Sequence, residues 1–334
     1  MKTKLLVVEL WGVGDLAIAT PFLQAASEQY EVTLLAKPYA LDMQRRFWPA
    51  VRVVPCVVPW TAFQRKYRLL TWPWGNIFRL WRALRRERFD VALSARWDPR
   101  DHLLLRLVGA RERIGFARMG SAVFLSRVLA RPDPAAHRCE HWRALAGALR
   151  LPVPPRAEIP VPAPRGGPIL VHTGAGQAVR VWPLERYRDL VWRLRARHWP
   201  VEVACDPDQR DWWLRAGEGA VATPRTVGEL LALVDRAGAF LGNDSGPGHL
   251  AAFCGVPTLT IFGPQLAEWF MPLHPQAQAI EGKPCPYKPC SDYCRFKEPY
   301  CLTRLTVEEV AARAEVFVAG LAGVCGAAPP AGPP

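Results

Sequence analysis

Residues 151–168, LPVPPRAEIPVPAPRGGP, can continue neither a helix nor a sheet, because proline lacks the amide donor that both need and glycine loosens the backbone. On either side the hydrophobic pattern alternates between short apolar runs and longer amphipathic segments. Strands are predicted near 4–10, 32–36, 51–56 and 91–94, and again near 169–172, 201–204, 239–243 and 258–262. Helices are predicted around 16–29, 74–88, 139–149, 184–197 and 227–237. Strand, helix, strand in succession implies a parallel sheet with helices on its faces. The chain is therefore read as α/β, with two Rossmann-like, doubly wound domains, 1–155 and 156–323. A tail, 324–334, is too rich in proline, glycine and alanine to pack and is expected to be disordered.

Several classes are disfavoured at once. No apolar run reaches the ~20 residues that cross a bilayer. The opening MKTKLLVVEL is too short for an export signal and is broken by Glu9, so it reads as a first buried strand in a cytoplasmic protein. Nine cysteines without such a signal fit a reducing compartment. The net charge of +13 is uneven: residues 1–150 carry 25 basic and 12 acidic side chains, the remainder 18 of each. A one-sided excess points to an anionic partner for the first domain. No helix-turn-helix, zinc-finger or RNA-binding signature accompanies it, so a specific nucleic acid is not expected.

In GNDSGPGHLAAFCGVPTLTIFGP, residues 242–264, an apolar strand ends at Asn243–Asp244, Ser245 and Gly246 open a helix, and Gly255–Val256–Pro257 closes it. The first amides of a helix have no partner inside it and sit at its positive end, so a phosphate suits them. His249 lies one turn from Ser245. The alternatives are a capped helix and a packing histidine. Upstream, Gly174, Ala175 and Gly176 in VHTGAGQAVRVWPLERY let backbone approach a ligand, and Arg180 brings a permanent charge suited to a diphosphate. Trp182–Pro183 reads as structural. Asp206 and Asp208 follow the next predicted strand.

Near the amino terminus, Gly12, Gly14 and Ala17 satisfy G-x-G-x-x-A, a dinucleotide fingerprint. Lys37 stands at the end of the second strand where an acid would hold the ribose, and Asp15 would crowd a pyrophosphate. A carboxylate at a strand's end suits proton abstraction from a hydroxyl instead, or it simply caps the helix.

These motifs together resemble glycosyltransferase family 9, the ADP-heptose:lipopolysaccharide heptosyltransferases. Asp244, Ser245, Gly246, His249, Leu250, Ala252, Pro257, Phe262 and Gly263 fit its carboxyl-terminal pattern, ELWGVGDLAIATPFL its amino-terminal loop, and 171–190 its central loop. The resemblance implies a GT-B fold, two domains facing a cleft, and inverting transfer of a heptose from a nucleotide sugar, ADP-heptose, to an anionic, lipid-linked glycan. It further implies Asp15 as base with Gly14 on the acceptor side, and Gly174, Arg180, Asp206, Asp208, Asp244, Ser245, Gly246 and His249 around the donor. No carboxylate cluster has metal-binding spacing, so no catalytic cofactor is expected. Another nucleotide-sugar transferase or epimerase, or a non-catalytic binding paralogue, remains an alternative.

Two segments lie outside these motifs. Residues 65–90 carry eight basic and two acidic side chains among six aromatics. Ile77, Leu80, Trp81 and Leu84 form one helical stripe, opposite Arg79, Arg82, Arg85 and Arg86. Such a helix covers a core or lies peripherally on the anionic inner leaflet. Cys285, Cys290, Cys294 and Cys301 fall within 17 residues, a spacing open to a structural metal, a disulfide or free thiols.

Overall fold

The computed structural model describes residues 2–61 and 72–321. The chain divides into two compact units, Met1–Pro155 and the part from Arg156 onward. The tail 324–334 and residues 65–71 of the basic segment lie outside the described residues.

In the first unit β1 (Thr3–Glu9), β2 (Tyr30–Ala36), β3 (Arg52–Pro55), β4 (Val91–Leu93), β5 (Glu112–Gly115) and β6 (Arg127–Val128) form one sheet in the order β3-β2-β1-β4-β5-β6. Every pairing is parallel. The apolar run Leu5–Val8 is buried in the middle of this sheet, as a parallel strand with both faces covered must be. The sheet order reverses between β1 and β4, so the carboxyl ends of those two strands flank a topological switch point, the place where open α/β sheets bind ligands.

In the second unit β7 (Ile169–His172), β8 (Val201–Ala204), β9 (Ala239–Asn243), β10 (Thr258–Phe262) and β11 (Gln278–Glu281) pair in parallel in the order β11-β10-β9-β7-β8. Here the switch point lies between β7 and β9. Trp182, Tyr187, Trp213, Leu241, Ile261 and Phe317 belong to the core beneath it. The helix Val307–Ala319 is fixed by a capping box, with the Glu309 N–H donating to Thr306 Oγ1 (3.3 Å) and the Thr306 N–H to Glu309 Oε2 (2.9 Å).

Strands β5, β6 and β11 were not anticipated from the pattern. They are short and lie toward sheet edges, where few apolar residues are needed and the periodicity fades. The linker is also less loose than its composition suggests. Gly255 sits at φ +80, and a Cβ there would come within 2.3 Å of the Pro162 carbonyl oxygen. With Arg165 Nη2 donating to the Cys254 carbonyl (3.4 Å), the second half of the linker is held against its own unit.

Candidate functional site

The two switch points carry the candidate residues. In the first unit β1 ends at Glu9, and Asp15 follows in the first turn of the helix Val13–Ile18, beside Gly14. Both Asp15 oxygens are engaged: Oδ2 accepts the Gly12 N–H (3.1 Å), and Oδ1 pairs with Arg96 Nη2. Gly12 is the N-cap, and Asp15, at the third helical position, completes a capping box by accepting the Gly12 N–H. A carboxylate still has lone pairs to spare, so capping and proton abstraction are compatible.

Arg96 comes from the loop after β4 and lies over the Trp11 ring, 5.1 Å from its centroid. It also stands 4.0 Å from Glu9 Oε2. Glu9 is only 2% exposed. Burial pushes its carboxyl up to about 8, against the opposing pull of Arg96, with Asp15 and Asp101 adding to the rise. Lys37, at the end of β2, is held below the usual lysine range by burial, against the attraction of Asp15 and Glu9. Arg138 stacks on Trp97 (4.9 Å). The site of Asp15 is therefore rimmed by indoles and permanent cations, which suits an acidic sugar.

In the second unit one buried amide organises three segments. Asn243, at the end of β9, donates from Nδ2 to the carbonyls of Thr173 (2.9 Å) and Gly174 (3.4 Å), just past β7. Its Oδ1 accepts the Trp182 N–H (3.0 Å) and the Tyr187 hydroxyl (2.8 Å). Trp182 is fully buried and donates from its indole to the Leu305 carbonyl (3.0 Å), which makes it structural.

This frame presents Arg180 to Asp244. Arg180 Nη1 donates to Asp244 Oδ2 (3.2 Å), and Asp244 is 3% exposed. Ser245 precedes the helix Gly246–Phe253 but turns its hydroxyl to the Asn243 carbonyl (3.2 Å) instead of capping. The Gly246 and Gly248 amides of the first turn are therefore not capped by that side chain, and Pro247 between them has no N–H. His249, on the same helix, is about as buried as Asp244.

Gly174 has no room for a side chain, since a Cβ would stand 2.2 Å from Asp206 Cγ. Burial first, and the charge of Asp208 second, raise Asp206 above the usual carboxylate range, while a hydrogen bond from the Ala175 amide works the other way. Asp208 itself stands outward in solvent. Gln209 turns inward, its Oε1 accepting from Thr173 Oγ1 (2.9 Å).

The four cysteines line a single small cavity of about 20 Å³ together with Tyr287, Phe296 and Tyr300. Aromatic rings share that space with the thiols, and among the described residues no group of three or more His, Cys, Asp or Glu side chains is disposed to hold a metal ion.

Four residues escaped the sequence reading: Glu9 as a buried carboxyl, Arg96, Asn243 as an organiser, and Asp292, which grips Arg180 through Nε (2.7 Å) and Nη2 (2.7 Å). Glu9 had a signal, a charge closing an apolar strand. Arg96 and Asp292 had none, because their partners are distant in sequence.

Comparison with known proteins identifies the family. The profile of glycosyltransferase family 9 (heptosyltransferase) matches residues 77–300. Lipopolysaccharide heptosyltransferase 1 of Pseudomonas aeruginosa is 29% identical over 307 residues, covering 81% of this chain and 84% of that protein. Among solved structures, E. coli heptosyltransferase WaaC with ADP superposes with a TM-score of 0.72 at 18% identity, covering 94% of this chain and all of that one. A glycosyl transferase family 9 protein from Veillonella parvula gives 0.75 at 17% identity, covering 95% and 98%. These structures share the GT-B fold with this chain, two parallel sheets flanked by helices. With the profile spanning most of its length, the chain belongs to glycosyltransferase family 9 and is a transferase of the heptosyltransferase type.

Proposed function

We propose that the protein moves a heptose from ADP-heptose to a lipid-linked glycan of the lipopolysaccharide core, with inversion at the anomeric carbon. The observation that carries this reading is the pairing of Arg180 with Asp244 beside an uncapped helix N-terminus, at the switch point where an α/β sheet takes a nucleotide. Relatives that bind ADP or its fluoro-heptose conjugate have the same fold.

Asp15 accepts the proton of the acceptor hydroxyl, and the freed oxygen forms a bond to the anomeric carbon. The bond from that carbon to the diphosphate breaks, and ADP leaves with the electron pair. Negative charge grows on the leaving diphosphate, where Arg180 and the Gly246 and Gly248 amides supply positive potential, so the reaction is proposed to need no metal. The cation-rimmed site of Asp15, with Arg96 and Arg138, receives the anionic acceptor.

Among the described residues no helix is long and apolar enough to cross a membrane. The enzyme is proposed to work in the cytoplasm, peripheral to the inner leaflet, a reading supported by helix Trp74–Arg86. Its Leu84 is buried against the core, while Trp74 and Phe78 are 53% and 52% exposed among arginines.

The test is transfer itself. Purified protein is incubated with ADP-heptose or other nucleotide sugars and a lipid-linked core acceptor, and the product is read by mass. Addition of one heptose from ADP-heptose alone supports the reading, and transfer of another sugar in preference overturns it.

A further inference from the structure

Arg180 is held by two carboxylates at once. Asp292 takes it side-on, Nε to Oδ1 and Nη2 to Oδ2, both at 2.7 Å, the two-point geometry by which arginine also binds phosphate. Asp244 takes Nη1. The three side chains retain only part of their exposure, about a quarter for Arg180, 18% for Asp292 and 4% for Asp244.

Two carboxylates on one guanidinium leave a local excess of negative charge, which is a poor receptor for a diphosphate. One carboxylate has to give way, and the two differ in how firmly they are fixed. Asp244 follows directly on β9, its N–H bonded to the Ile261 carbonyl (2.9 Å). Asp292 lies in the cysteine-bearing loop, and both it and Ser291 adopt positive φ, 70° and 49°. Non-glycine residues held in that region carry strain that neighbouring contacts must offset. The turn is closed by the Tyr293 N–H on the Cys290 carbonyl (2.9 Å), and beyond it the bidentate pair with Arg180 ties Asp292 to the segment that follows β7.

We propose that Asp292 is a stand-in anion, occupying Arg180 in the donor-free enzyme and yielding it to the diphosphate of the nucleotide sugar. This rests on the reading of Arg180 as a donor residue. Donor binding then exchanges one anion for another on the same guanidinium and detaches the 285–301 loop from the turn Ala178–Arg180. The loop would release as the donor enters and re-latch as the nucleotide leaves. Asp292 is a positioning residue in this account, since it acts on Arg180 and not on the reacting atoms.

ADP is the probe, titrated calorimetrically into wild type, Asp292→Asn, Asp292→Ala, Arg180→Ala and the Arg180→Ala/Asp292→Asn pair. Removing the competing charge should tighten ADP binding about three- to tenfold in both Asp292 variants, by the attraction no longer spent within the protein. In the Arg180→Ala background the same change should do nothing. If Arg180→Ala weakens ADP binding while the Asp292 variants leave it unchanged or weaken it, the exchange is overturned and the donor role of Arg180 stands. If Arg180→Ala binds ADP normally, both fall. Hydrogen exchange on unmutated protein guards against variants that fail to fold: saturating ADP should speed exchange of amides 290–296, and slowing there would overturn the exchange.

Discussion

Arg96 forms an ion pair with Asp15 while standing 4.0 Å from the buried carboxyl of Glu9, so one guanidinium serves two acids at the end of β1. The pair holds Asp15 in place without consuming all its acceptor capacity. Asp15→Asn keeps the size and the bond from the Gly12 amide but removes the base. Turnover should fall about 10²- to 10⁴-fold with ADP affinity nearly unchanged. Steady-state kinetics beside calorimetry check this, and near-native turnover would leave Asp15 as a capping residue alone.

Glu9 ties stability to pH. Its carboxyl is raised from the ordinary 4.5 to about 8 by burial, so between those values the unfolded chain gives up a proton that the folded protein keeps. That contribution to stability is full below 4.5, declines as pH rises and is lost above about 8. Asp101, raised to about 7 by burial and by Asp98, acts in the same sense but is common to both proteins compared. Glu9→Gln should therefore gain melting temperature relative to wild type between about pH 5 and pH 9. A difference that does not change with pH would mean Glu9 is ionised in the fold.

Gly174→Ala should disrupt the loop that follows β7, because the added methyl would meet Asp206 Cγ at 2.2 Å. We expect a cost of about 1–3 kcal/mol in stability or nucleotide binding. Asp206→Ala introduced alongside should recover the part due to the clash, as thermal melts with and without ADP would show.

The helix Trp74–Arg86 should bind anionic vesicles. Arg79, Arg82, Arg85 and Arg86 are exposed on it, each contributing up to about 1 kcal/mol near a negative surface. Sedimentation with phosphatidylserine vesicles should weaken as salt is added, and Trp74→Ala/Phe78→Ala should weaken it further. Equal recovery with neutral vesicles would refute the charge contribution.

Cys285, Cys290, Cys294 and Cys301 should react as four free thiols, with no metal bound, in anaerobically purified protein. Burial raises the thiols of Cys290 and Cys301, so with no metal bound both are held in the protonated form. Elemental analysis beside thiol titration decides this; one bound metal with four protected thiols would show that the loop closes around an ion.

The buried strands were legible because a parallel strand covered on both faces leaves an unbroken apolar run, as in LLVV of β1 and AFLG of β9. That Gly174 and Asp244 closely follow β7 and β9, and that Asp15 and Arg180 lie in the segments after β1 and β7, followed from the same pattern. What the pattern could not show is which side chains meet. Asp292 lies 112 residues from Arg180 in the chain, and Arg96 meets Asp15 only because β4 pairs with β1.

Asn243 is followed by Asp244, and an asparagine ages when the next residue's backbone nitrogen attacks its side-chain carbonyl and expels ammonia. Here the carbonyl is tethered by Trp182 and Tyr187, the amide by Thr173 and Gly174, and the attacking nitrogen is bonded to Ile261. The closed ring cannot form while those bonds stand. Deamidation at this position must wait for the ends of β7 and β9 to come apart, and afterwards a carboxylate would face carbonyls that require a donor. The slow chemical clock of the chain at Asn243 thus counts openings of the β7 and β9 ends, and a ligand that held those ends together would stop it.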